Sequence, residues 1–273
     1  MLQFVAAQRQ LPQGILCLDV GGNNTLLLAS RHGTLHRTVG AHLGTAQGSR
    51  RLVELGGIAE IRQWLPEPLS TEEIYTYLEN AALRPHGIPQ TLEDLYLAHA
   101  VVRQAVHLHI QALQEGWVGD KEAYPLAFDV IAGRGGTLAH TPQKGLIALT
   151  LIDAAQHVGL ARLVFDWASL WPQLGAVARV APLAATQVLD RDGFSELGAV
   201  LAPLGNVPEG TPALEITLHY ADGRVIEASV PSGTIARFPL GVGERATLEV
   251  RPHRDLDIGL GHPGQGGRTE ILG

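Results

Sequence analysis

The sequence predicts an α/β fold in which helices flank a mixed sheet, followed by a small all-β unit. Three short apolar segments come first, and the links between them are short enough for an antiparallel meander. The chain then alternates strand, helix, strand and helix. This order of elements is that of the ribonuclease-H-like fold, in which a mixed sheet has helices on both faces.

The predicted strands of this sheet are apolar runs bounded by turn residues. They lie at residues 15–20, 25–30, 34–40, 128–132 and 160–165. The links after the first two runs hold only four and three residues, so the first three strands should pair antiparallel.

Helices are predicted between the strands from periodicity and from capping residues. Residues 49–65 form a helical segment that ends before Pro66, and Ser70 begins a new helix with acidic residues in its first turn. Thr91 is expected to cap a long helix over residues 92 to about 114. A polar break is predicted at 116–125, and further helical stretches are predicted at 144–157 and 168–189.

The pattern changes near Gly198, and we predict two domains, residues 1–197 and 198–273. The second contains short alternating segments separated by glycine turns, which predicts a small barrel or a short sandwich. These segments are residues 213–220, 224–230, 234–239 and 246–251. We expect the glycine-rich stretch 259–268 to be a mobile tail.

The composition narrows the classes of partner. Hydrophobic residues make up 45% of the chain and the net charge is −7, which disfavours broad binding to nucleic acid or to acidic membranes. Cys17 is the single cysteine, which excludes an internal disulfide and is typical of a reducing cytoplasm. No apolar run approaches the roughly 20 residues of a membrane span, and no secretory signal is recognisable at the N-terminus. We therefore expect a cytoplasmic protein.

Two glycine-rich turns contain the main chemical signal. The first reads Asp-Val-Gly-Gly-Asn-Asn-Thr from Asp19, and the second reads Ala-Gly-Arg-Gly-Gly from Ala132. Positions without a side chain let backbone N–H groups approach a ligand, and phosphate is the commonest ligand of such turns. The Asp19 carboxylate could hold Mg²⁺ or a water. Together the turns predict the two sides of a nucleotide cleft. The alternative is that these glycines only end strands.

A polar stripe on the long helix could be either a metal site or a structural feature of the helix. His99, Arg103 and His107 recur every four residues on one face. Since arginine is not a metal ligand and separates the two histidines, the pattern favours a polar helix stripe or a packed interface over a zinc site. The second glycine turn is also no dinucleotide fingerprint, because Asp153, at about the right distance, lies on a predicted helix.

Acidic and aromatic residues near strand ends leave further alternatives. Asp166 follows the strand 160–165 and is either a cleft acid or the cap of the next helix. Trp117, Trp167 and Trp171 mark either core packing or a partner surface.

Several stretches, taken in order, resemble the C-terminal half of the glutamate mutase L proteins, which are MutL-type members of the actin-like ATPase superfamily. The matching stretches are residues 19–22, 38–44, 77–85, 88–91, 100–105, 131–136 and 257–261. The resemblance rests on their collective order and covers nearly the whole chain.

This resemblance implies a nucleotide site and a partner enzyme. The phosphate side would consist of Asp19, Gly21, Gly22, Asn24 and Thr25. The adenosine side would consist of Gly133, Arg134, Gly135 and Gly136. The implied ligands are ATP or ADP with Mg²⁺, which Asp19 would hold indirectly. The implied partner is an adenosylcobalamin-dependent mutase such as glutamate mutase, served in a chaperone-like or reactivating role.

Two departures from the family pattern predict a partial or degenerate ATPase. Where the family has a small residue, two threonines and an aspartate, this chain has Asn23, Asn24, Thr25 and Leu26, and hydrolysis needs positioned charge around Mg²⁺. The chain also has only one aspartate–glycine turn, so a missing N-terminal half is a second expected partner. We expect weak or absent nucleotide binding in this chain alone, no tightly bound cofactor and no ATPase activity.

Two other functions remain compatible with the sequence. One is a small phosphotransferase-like enzyme that uses a cleft at Asp19 and Gly135. The other is a non-catalytic protein-interaction module, and self-association is compatible with each of these functions.

Overall fold

The computed structural model describes residues 1–115 and 126–273. The polar break predicted at 116–125, which includes Trp117, lies outside the described residues.

Within the described residues, six strands form one mixed sheet. They are β1 Ile15–Val20, β2 Thr25–Arg31, β3 Thr34–Gly40, β4 Val130–Arg134, β5 Gly159–Phe165 and β6 Ser195–Ala202. The spatial order is β3-β2-β1-β4-β5-β6, in which β1, β4 and β5 are parallel and the outer strands are antiparallel to their neighbours. The predicted mixed sheet with a leading antiparallel meander is confirmed.

Helices cover both faces of this sheet. They are α1 Leu2–Gln8, α2 Ser49–Gly56, α3 Ile58–Arg62, α4 Thr71–Leu83, α5 Leu92–Glu115, α6 Gly136–Ala139, α7 Lys144–Ala155, α8 Trp171–Val177 and α9 Pro182–Asp192. One face packs against α5 and α7, and the other packs against α1, α8 and α9. No helix in the two described ranges has both the length and the apolar character needed to cross a membrane.

The helix starts follow the predicted caps, but one predicted helix is divided. Ser70 Oγ accepts a hydrogen bond from the Glu73 amide at 3.2 Å, and the Glu73 carboxylate accepts one from the Ser70 amide at 2.7 Å. Thr91 Oγ1 accepts from the Asp94 amide at the start of α5, at 3.0 Å. The helix predicted over 49–65 is split into α2 and α3 because Gly57 adopts φ +81°, which ends a helix.

The alternation of side chains along β1 fixes which residues face which helices. Leu16, Leu18 and Val20 belong to the core that includes α5. Cys17 belongs to the core formed with α1, α8 and α9. Because successive side chains of a strand point to opposite faces, Asp19 lies on the same face as Cys17.

The C-terminal part contains a second, smaller sheet, in which the described residues form four antiparallel strands. They are β7 Pro212–Tyr220, β8 Val225–Pro231, β9 Arg245–Pro252 and β10 Gly267–Leu272, arranged in the order β10-β9-β7-β8. The prediction of a barrel or sandwich was wrong, since this is one sheet whose apolar face packs on loops and on Leu160 and Leu201 of the first sheet.

Two details of the tail differ from the sequence prediction. Residues 234–239 form no strand: Ile235 is 74% exposed, and Phe238 packs against the core of the second sheet from a loop. The stretch expected to be a mobile tail ends within β10, where Arg268 pairs with Glu249 of β9. The strand β6 spans the predicted boundary at residue 197 and pairs with β5, while the division into two domains stays a prediction.

Candidate functional site

The two glycine turns meet at one edge of the first sheet. β1 and β4 are parallel neighbours, with Asp19 opposite Arg134 in the register, so both strands end at the same edge. Gly135 has φ +126°, and a Cβ there would lie 2.1 Å from the carbonyl oxygen of Val20. Only glycine allows the second turn to approach the end of β1 this closely.

The first turn is held in place by the loop of residues 41–48, which follows β3. The Gly21 carbonyl accepts from the Thr45 amide at 3.0 Å, and the Gly22 carbonyl accepts from the Ala46 amide at 2.7 Å. Asn24 Oδ1 accepts from the His42 amide at 3.0 Å. The amide that replaces a threonine of the family pattern therefore fixes this loop against the turn.

Asp19, Arg134 and Asp166 form an ionic cluster on the face that carries α8. Arg134 Nη1 donates to Asp19 Oδ2 at 2.5 Å, and Arg134 Nε lies 3.3 Å from Asp166 Oδ2. Burial raises the pKa of the Asp19 carboxyl, and the guanidinium of Arg134 opposes that rise. The cluster places one guanidinium between two carboxylates at the ends of β1 and β5.

Of the two roles that the sequence left open, Asp166 takes that of the helix cap, and it does not line the cleft described below. Its carboxylate accepts from the amides of Leu170 and Trp171 at 2.8 and 3.1 Å, which caps the start of α8. The same carboxylate also contacts Arg134.

Cys17 lies next to this cluster within the core. Burial raises the pKa of its thiol to about 12, and the nearby Asp19 charge acts in the same direction. A buried thiol in such surroundings is unreactive, because the thiolate form is disfavoured.

A cleft of about 1480 Å³ opens beside the two turns. The first turn contributes Gly22, its supporting loop contributes Thr45, and the second turn contributes Gly136 and Thr137. The opposite wall comes from α4, the loop 84–90 and the first two turns of α5. The hydroxyls of Thr45 and Thr137 lie 3.1 Å apart and share a hydrogen bond at the glycine side of the cleft.

Among the nine residues predicted for the nucleotide site, Gly22 and Gly136 line this cleft. Thr25 is fully buried within the sheet. Gly133 faces α7, where a Cβ would lie 2.8 Å from Leu151 Cδ2. The structure therefore brings the two turns together but gives several of their residues packing roles; Asp19, Gly21, Asn24, Thr25, Gly133, Arg134 and Gly135 do not line the cleft.

The sequence prediction missed the opposite wall of the cleft and the two threonines. Charged side chains on that wall are mostly acidic: the carboxylates are Glu72, Glu73, Glu93 and Asp94, and the guanidinium is that of Arg84. Tyr77, on the same wall, has a pKa raised by burial. Residues 77–85 and 88–91 were part of the family resemblance, so their position along the chain was the available signal, although no chemistry had been assigned to them.

The polar stripe of α5 forms a packed interface, as predicted. His99 is fully buried, and its ring nitrogens lie 2.6 Å from Thr150 Oγ1 and 2.9 Å from Thr141 Oγ1. Arg103 Nε donates to Asp153 Oδ2 of α7 at 2.7 Å. These contacts join α5 to α7 and to the residue pair that follows α6, and they account for His99 and Arg103.

Trp167 and Trp171, the two of the three tryptophans considered above that lie within the described residues, differ in burial. Trp171 is buried, and its Nε1 donates to the Gly193 carbonyl at 2.6 Å. Trp167 is 56% exposed, with its ring against the edge of Phe165.

Comparison with known proteins adds one finding. A family model described as MutL protein matches residues 1–192. This span covers the glycine turns, the cleft and the ionic cluster, and it ends before β6. The search of curated proteins found no match.

Proposed function

The chain belongs to the MutL family, the glutamate mutase L family, and from this premise we propose that it is an accessory protein of glutamate mutase with an adenine-nucleotide cleft at its two glycine turns. Family membership supports the accessory role. The resemblance to reactivating and chaperone-like factors supports an action on the adenosylcobalamin-dependent enzyme. In that role the accessory protein would help an inactivated mutase to exchange its damaged cofactor for an intact one.

The central observation is that Gly22 and Gly136, which lie far apart in sequence, border the same cleft. Their turns lie at the carboxyl ends of parallel strands, the edge at which α/β sheets bind ligands. The strand order β3-β2-β1-β4-β5, with an antiparallel meander first, supports the assignment to the ribonuclease-H-like and actin-like architecture.

We propose further that the chain alone does not hydrolyse ATP. Hydrolysis requires a carboxylate that positions Mg²⁺ or the attacking water beside the γ-phosphate. The Asp19 carboxylate is instead paired with Arg134 on the α8 face of the sheet. A protein-binding role without any nucleotide is the second candidate, and the same ion pair favours it.

A calorimetric titration of the full chain with ADP tests the cleft. Gly136→Val adds a side chain beside the cleft at a position where a Cβ meets no atom within 4 Å. Gly145→Val is the matched control, since Gly145 also has open space and lies near the start of a helix, outside the cleft. We expect ADP binding that Gly136→Val weakens at least about tenfold and Gly145→Val preserves. If millimolar ADP gives no heat, the nucleotide cleft is wrong and the protein-binding role is the remaining candidate.

Co-elution with purified glutamate mutase holoenzyme tests the partner. We expect a complex on size exclusion and a faster recovery of mutase activity after turnover-dependent inactivation. If the chain neither co-elutes with the holoenzyme nor changes the recovery of activity, with or without nucleotide, the accessory role is wrong.

A further inference from the structure

Building on the proposed nucleotide cleft, we infer that it selects an adenine nucleoside or monophosphate over Mg-ATP. The adenine base rests on the proposed function, and three features of the structure favour a ligand of low charge that needs no Mg²⁺: the pairing of Asp19, the charge of the cleft and the kind of hydrogen-bonding groups at its glycine side.

The residues expected to hold Mg²⁺ do not fit that ion. Asp19 was the residue predicted for it, and its Oδ2 accepts from Arg134 at 2.5 Å. The same guanidinium lies 3.3 Å from Asp166 Oδ2, so it already supplies positive charge between the two carboxylates. A cation that neutralised a triphosphate would have to displace Arg134 from both of them.

Asp19 also lies on the wrong side of the sheet for a ligand in the cleft. Its neighbours Leu18 and Val20 point into the core beneath α5, so the Asp19 side chain points towards α8. The cleft opens on the α4 and α5 side. The carboxylate and the cleft are therefore separated by the ends of the strands.

The charge of the cleft disfavours a polyphosphate. Four carboxylates and one guanidinium line the wall, and two of those carboxylates are held by helix caps. Hydrogen bonding with the Ser70 side chain, and to a smaller extent with the Ser70 amide, lowers the pKa of the Glu73 carboxyl and keeps it ionised. Repulsion grows with the charge of the ligand, which is zero for adenosine and roughly four negative charges for ATP.

Apart from the His140 ring, the side chains that line the glycine side of the cleft carry no ionisable group. Thr45 and Thr137 present hydroxyls that can exchange their mutual hydrogen bond for bonds to a ribose or to a single phosphate. Hydroxyl groups of this kind recognise a sugar without compensating several negative charges.

Calorimetric titrations of the full chain with adenosine, AMP, ADP and ATP, each with Mg²⁺ and with EDTA, test this inference. We expect affinity to fall by about tenfold from adenosine to ATP, with little change when EDTA replaces Mg²⁺. Tightest binding of ATP, lost in EDTA, overturns the inference while leaving the nucleotide cleft in place. Absence of heat with all four ligands overturns the cleft itself.

A charge-neutralising variant separates electrostatic selection from a change of fold. Glu72→Gln with Glu93→Gln removes two negative charges from the cleft wall and keeps the shape of both side chains. We expect ATP affinity to rise about fivefold and adenosine affinity to stay unchanged. Glu67→Gln with Glu227→Gln is the control, since both residues are exposed and neither lines the cleft. An equal change of ATP affinity in both double variants would overturn the inference.

Discussion

Arg134 at the end of β4 donates from Nη1 to Oδ2 of Asp19 at the end of β1, at 2.5 Å. The two residues are opposite each other in the parallel register, so the sheet itself brings them together. The aspartate that identifies the first glycine turn in the sequence is thus a structural partner of the arginine in the second turn. This pairing joins the two turns, and the charges of Asp19 and Arg134 neutralise each other on the α8 face of the sheet.

Removing Arg134 should destabilise the fold. Arg134→Met leaves the carboxylates of Asp19 and Asp166 facing each other, and because the Asp19 and Arg134 side chains are about one quarter exposed we expect a loss of about 1–2 kcal/mol. Urea denaturation measures this change. Arg179→Met, at an exposed position, should have no such effect. In the double variant with Asp19→Asn the loss should be less than the sum, and strict additivity would contradict the ion pair.

Gly135 should be far less tolerant of substitution than its neighbour. Gly135→Ala places a Cβ 2.1 Å from the Val20 carbonyl in a backbone with φ +126°, so we expect a loss of about 3 kcal/mol or more in the free energy of unfolding. Gly136→Ala has open space in the first turn of a helix and should change stability by less than about 1 kcal/mol. Equal denaturation midpoints of the two variants would show that the turns do not approach as described.

Acid should destabilise the protein through His99. Burial lowers the pKa of this ring from 6.5 to about 4, with the Arg103 charge acting in the same direction. The unfolded state therefore binds the proton more readily, and stability falls as pH drops from about 6.5 to 4, by about 3 kcal/mol at the lower limit. His99→Gln should make this part of the stability curve less steep, whereas exposed His86→Gln should not. Some slope should remain in His99→Gln, because burial also lowers the pKa of His157 to about 4. A curve that keeps its full slope in His99→Gln would contradict the buried neutral ring.

The threonine pair should affect ligand binding more than stability. Thr137→Val removes one hydroxyl of the pair at nearly constant volume, and we expect adenosine binding to weaken about tenfold. Thr217→Val in the second sheet is the control. Calorimetry checks the affinity, and urea denaturation checks the stability. Unchanged affinity in Thr137→Val would show that the hydroxyl pair does not bind the ligand.

Local sequence signals predicted most elements of the first sheet. β1 and β3 have their predicted bounds because apolar runs end there in turn residues. The break at Gly57 was not predictable, since glycine inside a periodic stretch is often tolerated and only the φ of +81° ends the helix. In the second sheet, β10 pairs with β9, although the glycine-rich sequence there has no local pattern that predicts a strand.

The candidate site shows the same division between local and long-range information. The glycine turns were visible as motifs, and their meeting at one edge followed from the order of the strands. The hydrogen bond between Thr45 and Thr137 joins residues 92 positions apart, so no local pattern could reveal it. The Asp19–Arg134 pair required the register of β1 and β4, which sequence alone did not provide.

Hydrogen-exchange mass spectrometry of the full chain with saturating adenosine tests the central claim most directly, because it locates the ligand. We predict slower exchange in peptides that cover both turns, residues 16–25 and 128–140, and unchanged exchange in β7 and β8. Unchanged exchange in both turns, or protection confined to the second sheet, would contradict a ligand cleft formed by the two glycine turns.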